Sequence, residues 1–424
     1  MSRASEFLAR HGMLPQDIDP AHCAGEMLKQ MKLGLERDGM QLPMIPTYLK
    51  NDGQVPKNSP VVVIDAGGTN FRRALVSFTD EGVLVEELEK KPMPGIKAPV
   101  SWEEFISFVA DAIMPIIHRS DRIGFCFSYN AKVTPEIDCR VVSIDKEVVV
   151  HGCEGKLVGA SLVEELERRG VKGKRAVILN DTVAVLLGGS ATVNKADYSG
   201  FIGQVSGTGT NTCCAVPYNK IGKLCTDSDE AILVNLEAGM YAGIPRGEFD
   251  IALDEGSNVP GNKLFEKLTA GVYLGELCRI MLTAAASEGL LSAECAEKVR
   301  ALGRIDASYV DAWSVGEELD KLRCNAEDAE FVRELSTALF ERSARCMCTN
   351  LLAIMQLTGE GTDPEKPVAV CAEGSLVQRS RLYSPMLREF LREYAARQCG
   401  CHAELIITSD STLPGSAAAA LLNC

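Results

Sequence analysis

Two glycine-rich tips carry residue types that bind phosphate. The first is Asp65-Ala66-Gly67-Gly68-Thr69-Asn70, entered from the apolar run Val61-Val62-Val63-Ile64. The second is Ser206-Gly207-Thr208-Gly209-Thr210-Asn211, entered from Phe201-Ile202-Gly203-Gln204-Val205. Each leads into a further run of strand formers, Phe71 to Phe78 and Thr212 to Val216. Each therefore reads as strand, glycine turn, strand. Glycine permits positive φ and removes the Cβ that would hold a ligand away. Successive N–H groups in such a turn form a concave anion site, and Thr and Asn add side-chain donors. One Gly-Gly-Thr-Asn tip alone is an ordinary hairpin turn. Two similar tips point to two phosphate loops facing one nucleotide, and to an internal duplication of a βββαβ-type unit.

The rest of the chain must position these tips. At 424 residues it is long enough for two or three domains. Apolar content of 46% and charged content of 24% are those of a globular protein with an ample core. A formal net charge of −14, with no run of Lys or Arg, excludes a nucleic-acid groove and leaves ATP open. Residues Met1 to Pro15 lack a continuous apolar leader, and Ala417 to Leu422 is too short to span a bilayer. The sixteen cysteines are scattered, so the expectation is a reduced, cytoplasmic protein with no membrane partner. Cys346-Met347-Cys348 and Cys399-Gly400-Cys401-His402 lack a second spaced pair and read as structural.

Helical spacing covers Ala21 to Leu35, Trp102 to Ile117, Leu157 to Arg169, Lys263 to Ala286, Asp328 to Leu357 and Pro385 to Arg397. Pro115 makes the last turn of the second doubtful. Buried strands read at Ile123 to Tyr129, Ala176 to Leu179, Val368 to Cys371 and Leu405 to Thr408, with a final helix from about Gly415. Strands alternating with helices give an α/β class. No Walker A sequence, protein-kinase signature or dinucleotide fingerprint occurs.

From about Val61 to Ala420 the chain resembles the hexokinase family, within the wider actin-like ATPase superfamily. The matching pieces run in order. They are Ile64 to Arg72, Gly124 to Ser128, Leu179-Asn180-Asp181-Thr182, Gly207 to Asn211 and Asn235-Leu236-Glu237-Ala238-Gly239. Asp254-Glu255 through Pro260-Gly261 to Lys267, Gly271 to Glu276, Glu373-Gly374-Ser375 and Gly415-Ser416-Ala417-Ala418 follow.

The resemblance implies a two-lobed actin-like ATPase (ribonuclease H-like) fold with an interlobe cleft. The small lobe would take 61–180 plus 409–424, the large lobe 1–60 plus 181–408. It implies ATP and Mg²⁺ as cofactors and a hexose as substrate, phosphorylated on its 6-hydroxyl. Asp181 matches the general base, and Lys146 matches the sugar-pocket lysine. Ser128, Asn180, Asn211, Glu237 and Glu266 match sugar contacts. Asp65 matches the carboxylate near Mg²⁺. Gly67, Gly68, Thr69, Asn70 and Arg72, with Gly207, Thr208, Gly209 and Thr210, match the phosphate loops. Gly374, Ser375, Gly415 and Ser416 match the adenosine region.

Read alone, Asn180-Asp181-Thr182 is a helix N-cap and Glu266 a solvated helix carboxylate. The chain departs from the family at Asn130, Asp145, Val259 and Lys263, all near sugar contacts. Those departures leave glucose, mannose, fructose and glucosamine open. A non-catalytic sugar-binding regulator is the alternative function. An actin-like filament subunit would share only the nucleotide loops.

Overall fold

The computed structural model describes residues 1–144 and 148–424. Two sheets organise the chain. The first contains β1 (Val61–Gly67), β2 (Asn70–Thr79), β3 (Gly82–Pro92), β4 (Arg122–Phe127) and β5 (Arg175–Leu179). Their spatial order is β5-β4-β1-β2-β3. The second contains β6 (Gly200–Ser206), β7 (Thr210–Pro217), β8 (Ala231–Asn235), β9 (Val368–Glu373) and β10 (Ala403–Ile407). Its order is β10-β9-β6-β7-β8, with the short strand Ile45–Pro46 paired to the outside of β8.

The two orders are the same topology. In each, three strands form an antiparallel meander, and two later strands add in parallel beside the first. The duplication expected from the paired glycine tips is therefore present in the connectivity. A parallel strand is covered on both faces and reads as a continuous apolar run. In β1, Val62 and Ile64 enter one apolar core while Val61 and Val63 enter another.

Between the sheets lie α1 (Asp181–Ala191) and α4 (Thr412–Asn423). Helix α1 packs on β6, β9 and β7, and α4 packs on β4, β1 and β5; the two helices pack on each other. That contact is close because glycine faces it. A Cβ on Gly415 would stand 1.9 Å from the Ala184 carbonyl oxygen, and one on Gly124 2.0 Å from the Ser416 carbonyl oxygen. The largest apolar core lies on the other side of the second sheet. It is built around α3 (Ala326–Thr358), which holds Cys346, Met347 and Cys348 fully buried.

The structure corrects several element boundaries. The helix expected over Lys263 to Ala286 is two, α2 (Leu264–Thr269) and Gly271–Ser287, because Ala270 is extended (φ −87°, ψ 142°). The break lets the Gly271 amide donate to the Gly207 carbonyl at 2.8 Å, tying the second glycine tip to a helix start. The helix from Trp102 ends at Ile113, two residues before Pro115. The C-terminal helix starts at Thr412, three residues earlier than expected. No helix among the described residues is long and apolar enough to cross a membrane.

Candidate active site

Three parallel strands of the first sheet end side by side. Asp65 of β1 is in register with Cys126 of β4, and Cys126 with Leu179 of β5. The residues at those ends are Asp65, Ser128 and Asn180-Asp181. In open α/β sheets ligands collect where parallel strands finish. Asn180 caps α1, its Oδ1 accepting the Thr182 amide at 2.9 Å. The Asp181 Oδ1 accepts the same amide at 2.7 Å. Capping thus belongs mainly to Asn180, and Asp181 is held at the helix mouth with its second oxygen available.

The first tip is a tight hairpin, Gly67 opposite Asn70, with Gly68 at φ +58°. Gly68 and Asn70 are exposed. The Tyr129 hydroxyl donates to the Gly68 carbonyl at 3.0 Å, and the Met93 amide to the Thr69 carbonyl at 3.0 Å, so the tip is pinned from both sides. The second tip spans Gly207, Thr208 and Gly209, between paired Ser206 and Thr210. Gly374, at φ +122°, fits against it: a Cβ there would meet the Ser206 carbonyl at 2.3 Å. A Cβ on Gly207 would lie 3.2 Å from the Ser375 amide. The second tip and the Gly374-Ser375 turn are thus one continuous backbone surface, as an anion site requires.

A carboxylate cluster faces these tips. Glu237 follows β8 in a left-handed conformation, φ +54°. Its Oε1 accepts from Asn235 Nδ2 at 2.8 Å and from Asn211 Nδ2 at 3.3 Å. Burial pushes its carboxyl up, and the charges of Asp181 and Glu266 push the same way, against Asn235 and Lys263. Glu266 sits in α2. Its Oε2 accepts the Thr210 amide at 3.4 Å, and its Oε1 lies 3.4 Å from Lys263 Nζ. It is therefore not a solvated helix carboxylate; it touches the second glycine tip.

Asp65 is also pushed up by burial, with Asp181 adding to the effect and Arg72 opposing it. Arg72 holds Asp65 Oδ2 through Nε at 2.9 Å and Nη2 at 2.6 Å. The same guanidinium reaches Asp410 Oδ1 at 2.9 Å and Thr412 Oγ1 at 2.7 Å. Gly67 leaves open a space that a Cβ would fill, 3.4 Å from Ser128 Oγ and 3.7 Å from Asp65 Oδ1. One carboxylate beside a phosphate loop is the donor set of a cation that keeps most of its water. No group of three or more His, Cys, Asp or Glu that could hold a metal ion occurs among the described residues.

Asp65, Ser128, Asn180, Asp181, Asn211, Glu237 and Glu266 are therefore brought to neighbouring positions, with Asp181 close enough to act electrostatically on both Asp65 and Glu237. Lys146 lies outside the described residues, as does Asp145. Gly415 and Ser416, matched by resemblance to the adenosine region, are found inside a helix. Both lie within α4, Ser416 has no exposed surface, and its hydroxyl donates to the Thr412 carbonyl at 2.7 Å. The residues that reach the site from this segment are Asp410 and Thr412, and Ser411 donates its amide to Glu373 Oε2 at 2.9 Å. Sequence reasoning missed them because it started the helix too late; the run Ser409-Asp410-Ser411-Thr412 was the available helix-start signal. Asn235, two residues before Glu237, was also missed as its direct support.

A hexokinase family model matches residues 201–422, and a second matches residues 15–191. Hexokinase-1 of Schizosaccharomyces pombe is 25% identical over 418 residues, covering 92% of this chain and 84% of that protein. Chloroplastic hexokinase-2 of Nicotiana tabacum is 28% identical over 443 residues, covering 95% and 86%. The solved hexokinase from Schistosoma mansoni, complexed with glucose, superposes with a TM-score of 0.76 at 19% identity over 99% of both chains. The chain belongs to the hexokinase family. Its architecture is the actin-like ATPase fold, and it is an ATP-dependent sugar kinase.

Proposed function

We infer that the chain transfers the γ-phosphoryl group of ATP to the 6-hydroxyl of a hexose, with Asp181 as general base. The observation that carries this reading is the position of Asp181. It stands at the strand ends of the first sheet and acts electrostatically on Asp65 by the first glycine tip and on Glu237 by the second. A base between two phosphate loops and a hydroxyl-binding cluster serves phosphoryl transfer, which needs positioning, charge neutralisation and proton removal rather than a covalent intermediate. A pure sugar-binding regulator has no use for that base.

In this reading Ser128, Asn180, Asn211, Glu237 and Glu266 hold the hexose hydroxyls, and Asp181 accepts the proton of the attacking one. The amides of the two tips hold the β- and γ-phosphates, with Thr69, Thr208 and Thr210 as supplementary donors. Gly374 and Ser375 border the nucleotide, whereas Gly415 and Ser416 do not. Mg²⁺, held by Asp65 through water, would neutralise phosphate charge. Arg72 takes only Oδ2, which leaves Oδ1 for that contact.

The lobes we assign are 61–180 with 409–424, and 1–60 with 181–408. Closure of one on the other would exclude water from the transfer. Sixteen cysteines accord with a reducing compartment such as the cytoplasm.

The test is ADP release from Mg²⁺-ATP with a panel of hexoses, run beside Asp181→Asn and with excess chelator. Hexose-dependent turnover, lost in the variant and with chelator, is the expected result. Saturable sugar binding with no turnover for any hexose would move the assignment to the regulator.

A further inference from the structure

Lys263 is the residue of the sugar-side cluster that the proposed mechanism leaves unused. It directly precedes α2 in a left-handed conformation, φ +53°, so the backbone turns sharply to place it. Its Nζ lies 3.4 Å from Glu266 Oε1. Its charge also acts on Glu237 and on the phenol of Tyr273. The ammonium is not sequestered: its side chain keeps 43% of its surface exposed, against 16% for Glu266.

The charges facing this spot are the carboxylates of Asp181, Glu237 and Glu266, the Tyr273 phenol, and Arg304 beyond Tyr273. Three carboxylates around a hydroxyl pocket attract any cation that fits. Among hexoses the cation that fits is the ammonium of an amino sugar. A positive charge 3.4 Å from one of the three weakens that attraction, while neutral hydroxyls still find their acceptors.

We propose that Lys263 is a specificity-determining residue that selects neutral hexoses against 2-amino-2-deoxyhexoses. It acts by occupying Glu266 and opposing the substrate's ammonium. The proposal rests on the reading of this cluster as the sugar pocket. Two like charges sharing a half-wet pocket repel enough to change relative affinity by about five- to tenfold.

The test uses competition, so that it reads whether or not the amino sugar is itself phosphorylated. Glucosamine is titrated against turnover of the best neutral hexose in the wild type, Lys263→Gln and Lys263→Arg. Each is measured at about pH 6, where the amine is an ammonium, and at about pH 9, where it is neutral. The ratio of glucosamine Ki to hexose KM should fall about five- to tenfold in Lys263→Gln at the lower pH. At the higher pH the fall should shrink to less than about twofold. Lys263→Arg should keep the wild-type ratio. An unchanged ratio in Lys263→Gln, or a fall equal at both pH values, overturns the charge mechanism. Loss of selectivity in the arginine variant does so as well. Absence of turnover with every neutral hexose in the wild type would instead sink the functional reading beneath it.

Discussion

Arg72 and Asp65 face each other across the first hairpin, one residue on each strand of a directly paired position, joined by two hydrogen bonds to a single carboxylate oxygen. The pair places a cation against a largely buried carboxylate. It also links that carboxylate, through Asp410 and Thr412, to the start of the C-terminal helix. Arg72 is therefore both a charge partner and a strut between the hairpin and α4.

Replacing Arg72 by Met leaves Asp65 buried without its cation, which costs about 3 kcal/mol for a pair of this kind. The sign of the pH dependence follows from Asp65, whose carboxyl burial already pushes up. Such a group destabilises the fold when ionised. The loss is absent below its unfolded pKa of about 3.9 and grows as pH rises through the higher folded value. Urea unfolding of the two proteins at acid and neutral pH checks this; a difference that shrinks toward neutrality would contradict it.

Asp181→Ala should lower kcat by at least about a hundredfold, the lower bound for removing a general base. Hexose affinity should stay within a few-fold, because Asn180, Asn211, Glu237 and Glu266 remain. Steady-state kinetics with direct sugar binding by calorimetry separates the two quantities. Retained kcat would exclude Asp181 from proton transfer.

Gly415→Ala should destabilise the fold by about 1–3 kcal/mol, because its Cβ would enter the Ala184 carbonyl. The folded fraction should keep its KM for ATP. A raised KM with unchanged melting temperature would restore Gly415 to the nucleotide site.

His11 caps the C-terminal end of the helix Arg3–Arg10 and tests its docking. Its ring lies 2.6 Å from Glu248 and 2.7 Å from Glu288 and packs against both Phe7 and Phe249. Burial pulls its pKa down, but the hydrogen bonds and charges of the two glutamates outweigh that and raise it above 6.5. The contribution is full below the unfolded value of about 6.5 and is lost as pH climbs through the folded one. Glu248 is largely exposed, so less than about 1 kcal/mol is expected. The melting-temperature gap between wild type and His11→Gln should narrow from slightly acid to alkaline pH; a gap that widens would contradict the sign.

Much of this was legible in the chain. The Val61 to Ile64 run and the glycine tip after it read directly as β1 and its turn, since strand period and positive-φ glycine are local signals. The paired tips also announced the repeated topology. The role of Glu266 was not legible by itself, because an exposed helix face and a contact with Thr210 look alike until α2 is placed. The helical setting of Gly415 was hidden for a related reason. A glycine before Ser and a run of alanines reads as a turn, whereas here it serves helix-to-helix approach, a tertiary demand that no local pattern reports.

The cysteines give the molecule its own gauge of opening. Of the sixteen cysteines, Cys225 is exposed, twelve are buried and three are intermediate. The buried ones sample separate regions: Cys126 in the first sheet, Cys213 and Cys371 in the second, Cys346 and Cys348 in α3. A thiol reagent should label Cys225 at once, the three intermediate thiols more slowly, and each buried one only as its surroundings unfold. Mass spectrometry of the labelled chain would then rank the regions by the free energy needed to expose them, with no engineered probe.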